Sequence, residues 1–190
     1  LRARYPDLRL EILTSDQNLD ITRGECDVAL RFGAKPTEEM LIVRHLIDMQ
    51  ETFYAHEKLV MKLGMPDNLA AVTRYPLIMS MDQEGKIGRW MTESFPDAEI
   101  AHRANTLSSI IASVRSGVGA SILPCLIGDD TRGLVRLLPP IAELTMPGWI
   151  VTTDEARRQP HIRALIDFVV EQIQLSLARS SSRLSVVRAA

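Results

Sequence analysis

A chain of 190 residues, 46% hydrophobic and 24% charged with a net charge of -2, can build one good core or two small ones. It lacks the basic excess of a surface that neutralises many phosphates. No apolar run approaches the ~18 residues of a membrane span, and Cys26 and Cys125 sit in the apolar settings CDVAL and LPCLI, where a buried thiol is commoner than a disulfide or metal ligand. Gripping DNA, spanning a membrane and resting on a disulfide framework are therefore all disfavoured for this stretch, and a reducing cytoplasm fits the thiols.

The first residues, Leu1 to Pro6, read as the last turn of a helix stopped before proline, which implies that something upstream has been removed. Strands are predicted at 8–13 (LRLEIL), 27–32, 41–46, 52–56, 76–80, 99–103, 120–124, 134–138 and 149–153. Helices are predicted at 18–23, 57–63, 87–93, 106–116 and 160–177. The alternation of short apolar runs with helical patterns predicts an α/β protein with mostly parallel sheets. Leu107, Ile110, Ile111 and Val114 form one apolar stripe, as do Ile162, Leu165, Ile166, Val169, Val170 and Ile173 in the last helix, where Pro160 suits the first turn. Beyond it, 176–190 is rich in serine and arginine with no acid, the composition of a disordered tail.

The densest set of suggestive residues is ANTLSSIIASVRSGVGASILPC, residues 104–125. Its Gly117 and Gly119 follow a helix and precede a strand, the reverse of a dinucleotide loop, so they read as a helix stop and turn. No Gly-Lys-Ser/Thr or G-x-S-x-G motif occurs, and His45, His56, His102 and His161 show no metal or catalytic spacing. A catalytic triad assembled from distant residues stays open.

Strand exits carry more promise, because open α/β sheets bind ligands outside the carboxyl ends of their strands. Thr14 and Ser15, Arg31 to Gly33, Ser80 to Asp82, and Asn105 with Thr106 follow such runs. Each alone also fits a cap or turn residue. Their recurrence favours a small polar or anionic ligand, and a guanidinium at Arg31 would favour a carboxylate, though it equally fits pairing with an acid on the surface. If Arg31 holds the ligand, its loss should abolish the response and spare stability.

The ordered series ARYPDLRLEI, GECDVALRFG, VRHLIDMQETFYAH, ANTLSSIIASVRSGVGASILPC, GLVRLLPPI and PHIRALIDFVVEQI resembles the effector-binding domain of LysR-type transcriptional regulators. The resemblance implies two Rossmann-like α/β subdomains joined by two crossover strands around a cleft, as in type 2 periplasmic binding proteins. Residues 1–50 with 148–175 would form the first and 51–147 the second, the first lacking its opening strand and part of its first helix. Effector contacts would be Thr14, Ser15, Arg31 and Phe32 from the first subdomain, and Ser80, Asn105, Thr106 and Pro124 from the second. It further implies a cytoplasmic ligand sensor rather than an enzyme, with no metal or cofactor, assembling as a homodimer or higher homo-oligomer. DNA would be bound only through a separate N-terminal winged helix-turn-helix. The rivals are a solute-binding protein of the same architecture and a small-molecule enzyme on that fold.

Overall fold

Most of the apolar runs form strands, and the structure, a computed structural model describing residues 1–14 and 19–187, shows how they pair. The chain forms two units by contact, Leu1–Asp48 with Met146–Ala190 (unit 1) and Met49–Thr145 (unit 2). The backbone passes from the first to the second after Asp48 and returns after Thr145.

Unit 1 holds β1 (Val28–Phe32), β2 (Leu41–Met49), which ends as the chain leaves the unit, and β8 (Met146–Thr153), in the order β1-β8-β2. β1 and β8 are antiparallel, with Val28 opposite Thr152 and Phe32 opposite Gly148. A side chain at 148 would collide with the Phe32 ring and Ile47, so glycine is what lets both approach the β8 backbone closely. Thr153 caps α5 (Asp154–Arg158) by accepting from the Ala156 N–H, and Pro160 opens α6 (Pro160–Val187). That helix runs past the end expected for it, so the stretch expected as an irregular tail is helical from Ser176 to Val187, and residues 188–190 lie outside the described ones. The opening residues make the expected turn: the Tyr5 N–H donates to Leu1 O at 2.9 Å, one helical turn ending at Pro6.

Two expectations fail in this unit. Residues 8–13 form no strand, and Leu10, Ile12 and Leu13 are exposed. Their alternation is strand-like, but a strand exists only through a ladder, and no described strand of the unit pairs with this one. The helix expected over 18–23 shrinks to a 3-10 turn, Ile21–Arg23, capped by Asp20 and closed by Gly24 in the left-handed region, while Asn18 lies outside the described residues.

Unit 2 contains β3 (Glu51–His56), α1 (Glu57–Leu63), β4 (Leu77–Ser80), α2 (Lys86–Ser94), β5 (Ile100–Ala104), α3 (Leu107–Arg115), β6 (Ser121–Pro124), α4 (Cys125–Gly128) and β7 (Leu134–Arg136). β4 and β5 are parallel, and a parallel bridge between Leu77 and Ala120 joins them to β6. β3 runs antiparallel to both β6 and β7. The expectation of mostly parallel sheets is thus corrected: alternation reveals strands but not their direction, and β3 runs opposite to β6 and β7 although α1 separates it from β4. Period-2 alternation along β3 divides the core. Phe53 and Ala55 pack with Leu77, Met79, Met91 and Phe95, whereas Tyr54 packs with Ile78, Leu123, Ile110 and Val114. The α3 stripe therefore delivers Ile110 and Val114 to the sheet, each worth about 2 kcal/mol of burial.

Gly117 and Gly119 serve different ends. Gly117 is left-handed at φ 78° and closes α3 through its N–H to Val114 O at 3.0 Å. Gly119 has an ordinary φ, but a Cβ there would collide with the Pro76 carbonyl.

Candidate functional site

In unit 2 the ends of β4, β5 and β6 emerge on one edge of the sheet, since Ser80 is opposite Ala104 and Leu77 is bridged to Ala120. Parallel direction is what groups them. Ser80, Asn105, Thr106 and Pro124 are thereby brought to a common edge. Ser80 Oγ accepts from the Asp82 N–H at 3.1 Å and so keeps its proton to donate. Asp82 in turn accepts from the Glu84 and Gly85 N–H groups at 3.2 and 2.9 Å, folding the loop after β4 around its carboxylate. Thr106 caps α3 by accepting from the Ser109 N–H at 3.2 Å while its hydroxyl donates to Ser109 Oγ at 2.9 Å. The cap takes one of the orphan amides of the first turn, and exposed Asn105 stands just before it. Pro124 is buried, so its part in the edge is to shape it.

In unit 1, Thr14 is exposed in the irregular stretch before residue 15, and Ser15 lies outside the described residues. Phe32 ends β1 and is 49% exposed. Arg31 is engaged: its side chain, 12% exposed, donates to Leu19 O at 2.9 Å and to Glu38 at 3.3 Å. Glu38's own backbone N–H, and then Arg31, hold that carboxyl below its usual range. These bonds tie two loops to β1, so Arg31→Ala should lower stability by about 2 kcal/mol, read as a fall in melting temperature of the free domain. An unchanged melting temperature would return Arg31 to a role in ligand contact alone.

The sequence reading missed the polar groups buried in unit 2. Arg136 and Asp129 form an ion pair with side chains 13% and 12% exposed. The Tyr54 hydroxyl donates to Asp129 at 2.7 Å, and Arg136 Nε donates to both Tyr54 Oη and Asp129 at 3.1 Å. Burial first, then the bond to Asp129, pushes the Tyr54 hydroxyl far above its ordinary range, so it stays a donor. The triad pins β3, β7 and the end of α4, and hence the chain leaving Pro124. Glu51, 1% exposed, is the other missed group, its carboxyl pushed up to about 8 by burial. A signal was present, because Glu51 shares strand parity with Phe53 and Ala55.

His102 Nε2 lies 2.7 Å from Ser113 Oγ on α3. Ser113 gives its single hydroxyl proton to Ser109 O at 2.9 Å, so the ring nitrogen is the donor and the serine is not activated. Among the described residues no cluster of His, Cys, Asp or Glu is placed to hold a metal ion, and no helix is long and apolar enough to cross a membrane.

Polar residues are thus gathered at strand exits, the edge at which open α/β sheets take up ligands. Residues 1–174 match the family model described as LysR substrate binding domain; the chain belongs to this family, the effector-binding regulatory domains of LysR-type regulators. Among curated relatives it is 24% identical over 178 residues to the HTH-type transcriptional regulator CrgA of Neisseria meningitidis, covering 90% of this chain and 59% of that protein. It is 26% identical over 179 residues to the Mau operon transcriptional activator of Paracoccus denitrificans, covering 91% and 58%. The chain thus spans less than two thirds of these relatives. Among solved structures, the CrgA regulatory domain superposes with a TM-score of 0.71 at 22% identity, covering 90% of this chain and 87% of that one. The effector domain of AmpR from Pseudomonas aeruginosa gives 0.66 at 18% identity, covering 96% and 88%. At these identities the structures establish the fold, the type 2 periplasmic-binding-protein architecture.

Proposed function

We propose that this domain senses a small polar or anionic metabolite through the strand exits of its units, and that the regulator containing it binds DNA through a separate domain. The family match over residues 1–174 carries the reading. The site geometry supports it with a donor hydroxyl at Ser80, an exposed amide at Asn105 and the opening turn of α3. A ligand shifts a conformational equilibrium only by its difference in affinity for the states, so its contacts at these strand exits would have to differ between them. The full-length regulator would act in the cytoplasm as a homodimer or higher homo-oligomer, a binding protein with no catalytic step, since its curated relatives are transcriptional regulators.

A gel-shift comparison tests the division of labour. The full-length protein should retard the DNA upstream of its own gene with the steep salt dependence of phosphate neutralisation, and the 190-residue chain alone, with its net charge of -2, should not. Retardation by the isolated chain would overturn this assignment. Failure of the full-length protein to bind any such fragment would favour the solute-binding alternative.

A further inference from the structure

The start of β3 carries a carboxylic acid where the strand pattern calls for an apolar residue. Glu51 is 1% exposed, and its Oε2 has no hydrogen-bond partner among the described residues. By strand alternation it lies on the side of Phe53, whose ring packs against Phe95 and Trp90 of the α2 region. Two segments flank this end of the strand. On one side Glu51 is opposite Pro124, and the Cys125 N–H donates to Gln50 O at 2.8 Å. On the other, the Ile141 N–H donates to Glu51 O at 2.9 Å, and the Thr52 hydroxyl reaches Leu138 O and Pro139 O at 3.1 and 2.9 Å.

We propose that the Glu51 carboxyl is a proton-binding site of unit 2, neutral at neutral pH while its strand end stays paired with the flanking Pro124–Cys125 and Leu138–Ile141 segments and ionised when they open. An unpaired carboxylate buried in apolar surroundings is far costlier than the neutral acid, and the neighbouring charges give it no counterion. On α2, Lys86 donates to Thr145 O and Arg89 to Glu84 O, while Glu93 is exposed and of the wrong sign. Glu143, beside the second segment, is also exposed and acidic. On the side of α4 and β7, Arg136 is held by Asp129 and Tyr54, and the Cys125 thiol is kept protonated by its own burial.

Burial raises the group from its ordinary value of 4.5 to about 8. The closed form therefore binds a proton that the open form has lost between those limits. Stability is complete below about pH 4.5, falls as pH rises, and levels off above about pH 8. Within that window each pH unit should favour opening about tenfold. The site needs no effector, so it goes beyond the sensing role and does not depend on it.

The test is an NMR titration of the 190-residue chain labelled with carbon-13 at glutamate carboxyls, with amide exchange followed at Cys125 and Ile141. The Glu51 signal should titrate near pH 8, and protection of the two amides, corrected for intrinsic exchange, should fall about tenfold between pH 6.5 and 7.5. Glu51→Gln should abolish that loss. A Glu51 signal titrating near 4.5, its ordinary value, overturns the proposal on the wild-type chain alone. An unchanged pH dependence of protection in folded Glu51→Gln overturns it equally.

Discussion

Arg136→Met should destabilise the domain by about 3–5 kcal/mol, the cost of removing the cation from a buried ion pair. Arg136 supplies the cation for Asp129, and both side chains are nearly enclosed at 13% and 12% exposure. With the guanidinium gone, Asp129 loses the two Arg136 bonds, while the neutral Tyr54 hydroxyl at 2.7 Å remains. Methionine keeps most of the buried volume, so the loss is electrostatic and not a cavity effect. For a domain of this size the melting temperature should fall by about 10 °C. The double change Asp129→Asn with Arg136→Met removes both charges and should recover more than half of the loss, since a buried pair contributes little beyond its own desolvation. Chemical denaturation of the wild type, the single variants and the double variant measures the coupling directly. A single variant within about 1 kcal/mol of wild type would place the pair in water and outside the framework that holds α4.

Gly119→Ala should cost about 3 kcal/mol despite adding one methyl group. The built Cβ meets the Pro76 carbonyl oxygen, a backbone atom with no rotamer to yield. The strands are locked there by the Ala120 N–H to Pro76 O and the Ile78 N–H to Ala120 O, both 2.9 Å, and by the Ser121 hydroxyl to Ile78 O at 2.7 Å. Relieving the clash must lengthen bonds that join β6 to β4, the join that sets Pro124 and Ser80 on one edge. Gly117→Ala, at φ 78°, meets only the left-handed penalty of about 1 kcal/mol. The ordering of the two variants in a thermal melt separates close approach from backbone conformation. Equal losses would mean that both glycines act only as turn formers.

The helix and strands around residues 104–125 were legible because their signals are local: an i, i+3, i+4, i+7 stripe ending in Gly117, then a short apolar strand. The family was legible for a different reason, in the order and separation of several weak segments. Strand direction was not, since periodicity is the same whichever way a strand runs, and β3 proved antiparallel to β6 and β7. Residues 8–13 failed in the opposite sense, with a strand pattern and no ladder to join. Among the candidate site residues, Arg31 had the right chemistry for an anion, yet the structure engages it with Leu19 and Glu38. Pairing with an acid was one of its two readings, but chain distance hid which acid and the Leu19 carbonyl. The Tyr54, Asp129 and Arg136 network was invisible for the same reason, its members being 75 and 82 positions apart in the two bonds of Tyr54. Glu51 alone stood in plain view, a charged residue in the core register of its strand.

The central claim is that a small molecule binds at the strand exits, and calorimetric titration tests it most directly. The wild-type protein, Ser80→Ala and Asn105→Ala would each be titrated with a panel of small carboxylates and aromatic acids. At least one compound should bind the wild type, and each substitution should weaken it about tenfold, the worth of one lost hydrogen bond, with little change in melting temperature. Binding that is indifferent to both substitutions, or a folded full-length protein that binds nothing across the panel, would contradict the account.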